Sequence, residues 1–320
     1  MTILVTGGAG FIGSHLCEHL LGKGIEVVCI DNFDRFYDPA VKEQNISGLE
    51  ENARFHLYRG DIRDESVLKS IFRQHQVDSV VHLAAKAGVR PSIQHPAEYM
   101  DVNITGTVRL LEAMRQAGVG RLIFGSSSSI YGNQSKVPFS ENDDVSEPIS
   151  PYAASKRSGE LIAYTYHHLY GMEVSCLRFF TVYGPRQRPD LAIHKFTQLA
   201  LSGRAIPLYG DGLTRRDYTY VDDIVQGIAR LIDHPVPGFD IFNLGNGHPI
   251  TLLDMVQALE SALGKKLEIA MSDKQPGDVE QTFADISKAR SAFGYTPRID
   301  FNEGVRRFVE WYALSTVPGE

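Results

Sequence analysis

The sequence has few cysteines, no long apolar run and no excess of positive charge, and each shortage excludes a class of protein. The three cysteines, Cys17, Cys29 and Cys176, are far apart in a chain of 320 residues. We therefore expect reduced core thiols and neither a disulfide framework nor a metal site. No apolar stretch reaches the roughly 18 residues that a membrane-spanning helix needs. The net charge of −7 argues against a general nucleic-acid-binding surface.

The composition that remains is typical of a globular protein. Apolar residues make up 43% of the chain and charged residues 22%, which is enough apolar material for a large buried core. The strand-like T-I-L-V-T follows Met1 directly and leaves no room for a signal peptide. The sequence therefore predicts a cytoplasmic protein that binds neither membranes nor nucleic acid.

Short apolar runs alternate with longer amphipathic stretches through the first half of the chain. The runs are at 3–6, 27–31, 55–58, 79–83, 122–125 and 173–178, and the amphipathic stretches are near 11–23, 64–75, 97–117 and 152–170. Apolar strands separated by helices are typical of a parallel sheet covered on both faces. The fold class is therefore α/β, with a doubly wound parallel sheet of the Rossmann type.

After about residue 180 the elements become shorter and Pro and Gly separate them. A strand at 240–244 and a helix at 251–263 are the clearest elements of this part. We predict a Rossmann domain over residues 1–180, with returning segments at about 215–245. A smaller interleaved α/β domain over 181–320 would bind most of the substrate.

The first strand leads into T-G-G-A-G-F-I-G, in which Gly7, Gly10 and Gly13 are spaced G-x-x-G-x-x-G. Between a strand and a helix, such glycines allow a tight turn and bring a pyrophosphate to the helix N-terminus. Asp31 ends the second strand, where its carboxylate can bind an adenosine ribose and would repel a 2′-phosphate. The motif therefore predicts NAD in preference to NADP. Asp61, after the third strand, is expected to bind the adenine amino group.

The segment S-P-Y-A-A-S-K contains the candidate catalytic pair. Tyr152 and Lys156 lie four residues apart and so on one face of a helix, which Ser150 and Pro151 are suited to begin. A phenol is a poor base at neutral pH, but a nearby ammonium group and a positive nicotinamide ring would lower its pKa. Tyr152 could then take a proton from a sugar hydroxyl. The alternative for this pair alone is an exposed helix surface.

The motifs together resemble those of the extended short-chain dehydrogenases that act on nucleotide sugars, and most of all the UDP-glucuronate 4-epimerases. They are T-G-G-A-G-F-I-G, H-L-A-A, S-S-S-S-I-Y-G, S-P-Y-A-A-S-K and R-D-Y-T-Y-V-D-D-I, in order along almost the whole chain. The resemblance implies a tightly held NAD, a bound UDP-sugar, and a homodimer joined through helices near 97–117 and 152–170. It also implies further cofactor contacts from Phe11, Ile12, Asn32, Ile62, Leu83, Ala84, Ala85, Lys86 and Asn103.

The serine run 126–129 separates the reactions that resembling enzymes catalyse. Alignment on Tyr131 places Ser127 at the catalytic hydroxyl beside the reacting C4 group. Ser128 and Ser129 then stand where similar dehydratases carry Asp-Glu, in T-D-E-V-Y-G, and where similar decarboxylases have T-S-E-V-Y-G. Without a carboxyl group to support elimination or decarboxylation, the resemblance leaves C4 epimerisation through a 4-keto intermediate.

The predicted substrate is a UDP-uronic acid, either UDP-glucuronate or UDP-galacturonate. Neutral hydroxyls can bind a C6 carboxylate without repelling it, and we expect Ser128, Ser129 and Thr181 to do so. The galactose-type epimerases usually have Asn where this chain has Thr181. The candidate cations are Arg90 and Arg188 near the sugar and Arg186, Arg188, Lys195 and Arg216 near the pyrophosphate, and Asp278 is the candidate for the nucleotide ribose.

Three alternatives remain open: a UDP-glucose/UDP-galactose 4-epimerase, a UDP-glucuronate decarboxylase, and a non-catalytic NAD-sensing protein. Other polar residues have structural interpretations. We expect His82 to be a core imidazole, His167 and His168 to contribute to packing or an interface, and Asp222 and Asp223 to cap a helix.

Overall fold

A computed structural model of the chain describes residues 1–273 and 279–315. The strands in chain order are β1 (Thr2–Thr6), β2 (Glu26–Asp31), β3 (Phe55–Arg59), β4 (Ser79–His82), β5 (Arg121–Ser127), β6 (Glu173–Phe179), β7 (Thr181–Tyr183), β8 (Ile206–Tyr209), β9 (Arg215–Tyr220), β10 (Phe239–Leu244), β11 (Pro249–Thr251) and β12 (Ile269–Ser272). The helices are α1 (Phe11–Gly22), α2 (Pro39–Ile46), α3 (Glu65–Gln74), α4 (Val89–Gln94), α5 (Pro96–Met100), α6 (Gly106–Ala117), α7 (Pro151–Tyr170), α8 (Ala192–Leu201), α9 (Val221–Asp233), α10 (Leu252–Leu263), α11 (Ser287–Phe293) and α12 (Phe301–Ser315).

Seven parallel strands form the main sheet in the order β10-β6-β5-β4-β1-β2-β3. Every residue of β1 is buried, as expected of a strand covered on both faces. Helices α1 and α9 pack together over one face, and α3, α6 and α7 form a second core over the other. The predicted doubly wound Rossmann-type sheet is confirmed.

The later part of the chain forms two small sheets beside the carboxyl end of the main sheet. One has the strand order β11-β9-β7, and the other pairs β12 with β8. Within the returning segment predicted at about 215–245, α9 and β10 join the main domain whereas β9 belongs to a small sheet. The domain boundary near residue 180 stays a prediction. Over residues 1–273 and 279–315, no helix combines the length and apolar character that crossing a membrane requires.

The helical stretch expected near 97–117 is interrupted by a π-helical turn over Asp101–Thr105, between α5 and α6. Such turns are rare and often occur at functional sites. This one directs the buried Asn103 at the loop after β4, where its side chain accepts a hydrogen bond from the Lys86 amide and donates to the Lys86 carbonyl. The sequence contained no signal for it.

The prediction that Asp222 and Asp223 cap α9 is wrong. The helix begins at Val221 without a side-chain cap. The carboxylate of Asp223 instead accepts hydrogen bonds from the amides of Arg298 and Ile299, at 2.9 and 3.1 Å. A buried carboxylate needs hydrogen-bond donors, and here the two amides supply them. The two bonds attach the segment that precedes α12 to the first turn of α9.

Candidate active site

A cavity of about 510 Å³ lies at the carboxyl edge of the main sheet, between that sheet and the smaller region. Ligands bind at this edge in open parallel α/β sheets. Most of the residues predicted for the site contribute to its wall: Gly7, Gly10, Phe11, Ile12, Gly13, Asp31, Asn32, Asp61, Ile62, Leu83, Ala84, Ala85, Lys86, Ser127, Ser128, Ser129, Tyr152, Lys156, Thr181, Arg188 and Arg216.

The glycine turn between β1 and α1 is too tight for side chains. Gly7 has a φ of +71°, and a Cβ there would lie 2.8 Å from the backbone nitrogen of Ala84. A Cβ on Gly13 would collide with the Gly7 carbonyl. Gly10 precedes α1 and supplies no side-chain cap, so the first N–H groups of the helix remain available to a ligand in the cavity. They form the positive end of the helix dipole, which attracts an anion. This turn fits the pyrophosphate of a dinucleotide.

Asp31 ends β2 and is held in the cavity wall by backbone groups. Its carboxylate accepts hydrogen bonds from the amides of Ala9 and Phe33, at 3.2 and 2.8 Å. Lys42, on α2, places its Nζ 3.7 Å from the same carboxylate and also lines the cavity. Sequence reasoning missed Lys42, since no motif surrounds it.

Asp61, which follows β3, lines the same end of the cavity as Asp31. It accepts hydrogen bonds from Asn32 at 2.9 Å and from the Arg63 guanidinium at 2.9 and 2.8 Å. The hydrogen bonds from Arg63 lower the pKa of Asp61 to about 2 in spite of its partial burial. The side chain is therefore a fixed, ionised acceptor. Lys86 stands nearby with Nζ 2.9 Å from Glu98 and 3.4 Å from Asp34.

The candidate catalytic residues come from the start of α7 and the end of β5. The Ser150 hydroxyl caps α7 by accepting from the Ala153 amide at 3.1 Å, and Pro151 occupies the first turn. The buried Lys156 donates from Nζ to the Gly125 carbonyl at 2.7 Å. Burial lowers the pKa of Lys156 to about 8, although the charge of Glu160 raises it in part.

The Tyr152 side chain is partly buried in the cavity wall, and burial raises the pKa of its phenol. A hydrogen bond with Ser127 and the charge of Arg188 act in the opposite direction. Both groups therefore favour the phenolate, as a general base requires. The lowering that we expected from Lys156 stays a prediction.

The serine run divides between two faces of β5. The Ser126 hydroxyl donates to the buried Glu160 at 2.7 Å, whereas Ser127 faces Tyr152. A 3-10 turn over Ser128–Tyr131 follows. There Ser129 donates to the Ser127 oxygen from its amide and its hydroxyl, at 3.2 and 2.9 Å.

A buried ion pair supports this serine segment from behind. Arg178 on β6 donates to both oxygens of Glu160 on α7, at 2.9 and 3.0 Å, and the two side chains are 1% and 0% exposed. Arg178 also donates to the hydroxyl of Tyr131, which donates to Asn243 on β10 at 2.7 Å. Sequence reasoning missed this network, although Glu160 lies one helical turn after Lys156.

Four predicted residues are not part of the cavity wall. Arg186 forms an ion pair with Glu18 at 2.8 Å, and Lys195 is exposed on α8. Arg90 lies over the ring of Tyr209, 5.7 Å from its centroid, and Asn103 holds the Lys86 loop from behind. A fifth residue, Asp278, falls outside the described residues.

Arg188 does line the cavity, with its guanidinium bound to Asp190 at 2.9 and 2.8 Å. Arg216 also lines it. The neighbouring Arg215 is exposed.

The acidic residues of the wall all lie at one end. Across the described part of the chain, the carboxylates that line the cavity are Asp31, Asp34 and Asp61, beside the ends of β2 and β3. The other end, near Tyr152, is lined by hydroxyl, apolar and cationic groups, among them Thr181. That end suits an anionic ligand.

His82 lies in the core behind the site, as expected. Its Nδ1 is 2.7 Å from the Thr6 hydroxyl and its Nε2 is 3.0 Å from the Thr107 hydroxyl. Thr107 donates its own proton to the Asn103 carbonyl, so it accepts from the imidazole Nε2–H. Burial lowers the pKa of His82 to about 3, which keeps the ring neutral.

Comparison with known proteins agrees with this geometry. Residues 4–308 match the family described as GDP-mannose 4,6 dehydratase. The chain is 45% identical to a UDP-glucuronate 4-epimerase of Thermodesulfobacterium geofontis over 96% of this chain and 95% of that one. It resembles the solved UDP-glucuronic acid 4-epimerase of Bacillus cereus in complex with UDP-glucuronic acid and NAD, with a TM-score of 0.92, 37% identity and coverage of 98% and 100%. A UDP-glucose 4-epimerase of Thermotoga maritima has a TM-score of 0.90, 34% identity and coverage of 98% and 99%.

Proposed function

The chain belongs to the GDP-mannose 4,6 dehydratase family, and on that premise we propose that it interconverts UDP-glucuronate and UDP-galacturonate by NAD-dependent epimerisation at C4. The observation that carries the proposal is the wall of the cavity around Tyr152. It offers hydroxyls at positions 127, 128, 129 and 181, and no carboxylate among the described residues there. A uronate can be bound at such a surface without like-charge repulsion.

The residues at the other end of the cavity fit the cofactor. The glycine turn would hold the pyrophosphate, Asp31 the adenosine ribose, and Asp61 the adenine. When bound, NAD supplies the group that accepts a hydride from the sugar and returns it. A carboxylate at position 31 favours NAD, since a 2′-phosphate would lie beside its negative charge.

Tyr152 would act as the general base and acid at the sugar O4. Its phenolate takes the proton of the C4 hydroxyl as the sugar is oxidised, and gives a proton back when the ketone is reduced. Ser127, hydrogen-bonded to Tyr152, would bind the same sugar oxygen. The serine run has no carboxylic acid to protonate a leaving group, so the 4-keto sugar would not be dehydrated, and reduction on its other face would invert C4.

The serine run would also restrain a side reaction. A 4-keto uronate is a β-keto acid, which loses CO2 readily unless its carboxylate is held in an unfavourable orientation. Ser128, Ser129 and Thr181 could hold it. We expect Ser129→Ala and Thr181→Ala to release a UDP-pentose by-product or to lose preference for uronates, as measured by NMR of the product mixture. An unchanged mixture from both variants would reject this role.

The function is tested by incubating the purified chain with UDP-glucuronate and, separately, with UDP-glucose, with and without added NAD. Proton NMR should show conversion of UDP-glucuronate to UDP-galacturonate, and a deuterium placed at C4 should be retained in the product. Tyr152→Phe is the inactive control. Turnover of UDP-glucose alone would instead favour the neutral-sugar epimerase, and a pentose as the main product would favour the decarboxylase.

We further propose that the protein is a cytoplasmic homodimer joined through α6 and α7. On α7 the side chains of Leu161, Tyr164 and Leu169 are about half or more exposed, and a second copy of the chain would bury this apolar surface. Sedimentation analysis should give twice the chain mass, and Leu161→Glu should shift the protein to the monomer. Monomeric wild-type protein would reject the proposal. The three buried free thiols are compatible with a reducing compartment.

A further inference from the structure

Three side chains with metal-binding groups meet at the edge of the sheet opposite to the cofactor site. Glu26 is the first residue of β2, His56 the second of β3, and His75 follows α3. The Glu26 Oε1 lies 3.1 Å from Nε2 of His56 and 3.7 Å from Nδ1 of His75. None of the three lines the cavity, and the proposed epimerase activity does not use them.

The hydrogen bonds around His75 determine which ring nitrogen carries its proton. Tyr58 donates its single phenolic hydrogen to Gln74 Oε1 at 2.6 Å, and the Gln74 amide is oriented by its bond to Ser70. The Tyr58 oxygen, 2.9 Å from Nε2 of His75, must therefore accept from that nitrogen. In the neutral ring the lone pair is then on Nδ1, the atom that faces Glu26.

A nitrogen lone pair facing a carboxylate oxygen is repulsive unless a positive group lies between them. A divalent metal cation bound between the two atoms would be such a group. Imidazole nitrogens and a carboxylate oxygen form a ligand set that late first-row divalent cations prefer.

We propose that Glu26, His56 and His75 bind one late first-row divalent cation, of which Zn²⁺ is the representative. A tetrahedral ion about 2.1 Å from each ligand separates the ligands by roughly 3.4 Å, and the distances of 3.1 and 3.7 Å from the Glu26 oxygen lie on either side of this value. The hydrogen bond from His75 to Tyr58 fixes the orientation of the ring, as a hydrogen bond to the non-ligating ring nitrogen does for histidines in known metal sites. The partial exposure of Glu26 and His56 leaves the fourth ligand position open to water.

The site would be structural. It joins the beginnings of β2 and β3 to the end of α3, and the carboxyl ends of the same two strands lead to Asp31 and Asp61. A ligand that binds only the folded state shifts unfolding by mass action, so free metal at a hundred times its Kd should raise the folded-to-unfolded ratio about 100-fold.

The experiment titrates the metal-free full-length protein with Zn²⁺ by calorimetry and with Co²⁺ by absorption spectroscopy, and records Tm with and without Zn²⁺. We expect one ion per chain, tetrahedral Co²⁺ bands and a Zn²⁺-dependent rise in Tm. His56→Gln and Glu26→Gln should each weaken binding at least tenfold and abolish the rise in Tm. Both side chains are about a third or more exposed, so the variants should fold.

The matched control is His168→Gln, at an exposed histidine on α7, which should bind metal as the wild type does. Absence of Zn²⁺ binding by the wild type would overturn the proposal, and so would equal affinity in wild type and both variants. None of these measurements depends on turnover, so a negative result would refute the metal site without bearing on the proposed epimerase activity.

Discussion

The substitution Glu160→Gln tests whether the buried ion pair behind the serine segment controls both stability and the charge of Lys156. Glu160 accepts four hydrogen bonds, from Ser126, from Arg157 and two from Arg178. Glutamine keeps the shape of the side chain, so no cavity forms. It removes the negative charge and presents an amide N–H₂ to guanidinium donors that can no longer bond there.

The expected loss of stability is large, because Arg178 is left as an uncompensated buried cation. Removing one partner of a buried ion pair costs about 3–5 kcal/mol in the free energy of unfolding. A second effect concerns Lys156. The charge of Glu160 raises the pKa of Lys156 against the effect of burial, so its loss should move that pKa below about 8. The alkaline limb of the kcat profile should move to lower pH with it.

The assay is urea unfolding together with the pH dependence of kcat, for Glu160→Gln and for the double variant Glu160→Leu/Arg178→Met. Because the double variant removes both charges of the buried pair, it should recover much of the lost stability. Glu303→Gln is the matched control, since Glu303 pairs with Arg306 and Arg307 on the surface, where ion pairs contribute little. The reasoning is refuted if Glu160→Gln is no more destabilising than this control, or if the pH profile does not move.

Three further predictions follow from the site. Tyr152→Phe should abolish turnover in the NMR assay while NAD affinity and Tm stay near wild type, because only the proton-transferring hydroxyl is lost; residual activity near wild type would exclude Tyr152 as the base. Asp31→Ser should narrow the preference for NAD over NADP at least tenfold in titrations with both cofactors, through loss of the ribose acceptor and of the charge repulsion; an unchanged ratio would contradict the assigned role. The pKa of His82 is about 3 in the folded protein, below the ordinary value of 6.5. Its contribution to the free energy of unfolding is therefore complete above pH 6.5, and it is lost at about 1.4 kcal/mol per pH unit as the pH falls toward 3. His82→Asn should therefore show a shallower fall in stability from pH 6 to 4, and parallel curves would refute it.

The parts of the site that the sequence predicted are those whose chemistry is local. The glycine turn joins a strand to a helix within ten residues, and Tyr152 and Lys156 share a helix face because they are four residues apart. Asp31 could be placed because a strand end lies at a known edge of the sheet. In each case the backbone conformation of one short segment determines where the functional groups lie.

The parts that the sequence did not predict depend on contacts between distant segments. Lys42 approaches Asp31 only because α2 folds over the end of β2. The loop after β7 turns Arg186 towards Glu18 on α1, at a backbone φ of +62°, and so away from the cavity. Asp223 bonds to a segment about 75 residues later in the chain. Neither hydrophobic periodicity nor the spacing of a motif can predict contacts between residues so far apart in the sequence.

The serine run shows how the two kinds of contact combine at one strand end. Alternation along β5 directs Ser126 to the buried Glu160 and Ser127 to Tyr152, so the same two residues connect the catalytic helix to the reacting end of the cavity. Ser129 is bonded to Ser127, and we expect it to stand where a carboxylic acid would be within reach of the substrate. A hydroxyl there can donate a hydrogen bond to a uronate, but it cannot release a proton to a leaving group near pH 7. We therefore expect this segment to supply no proton for elimination, which leaves the 4-keto sugar to be reduced again.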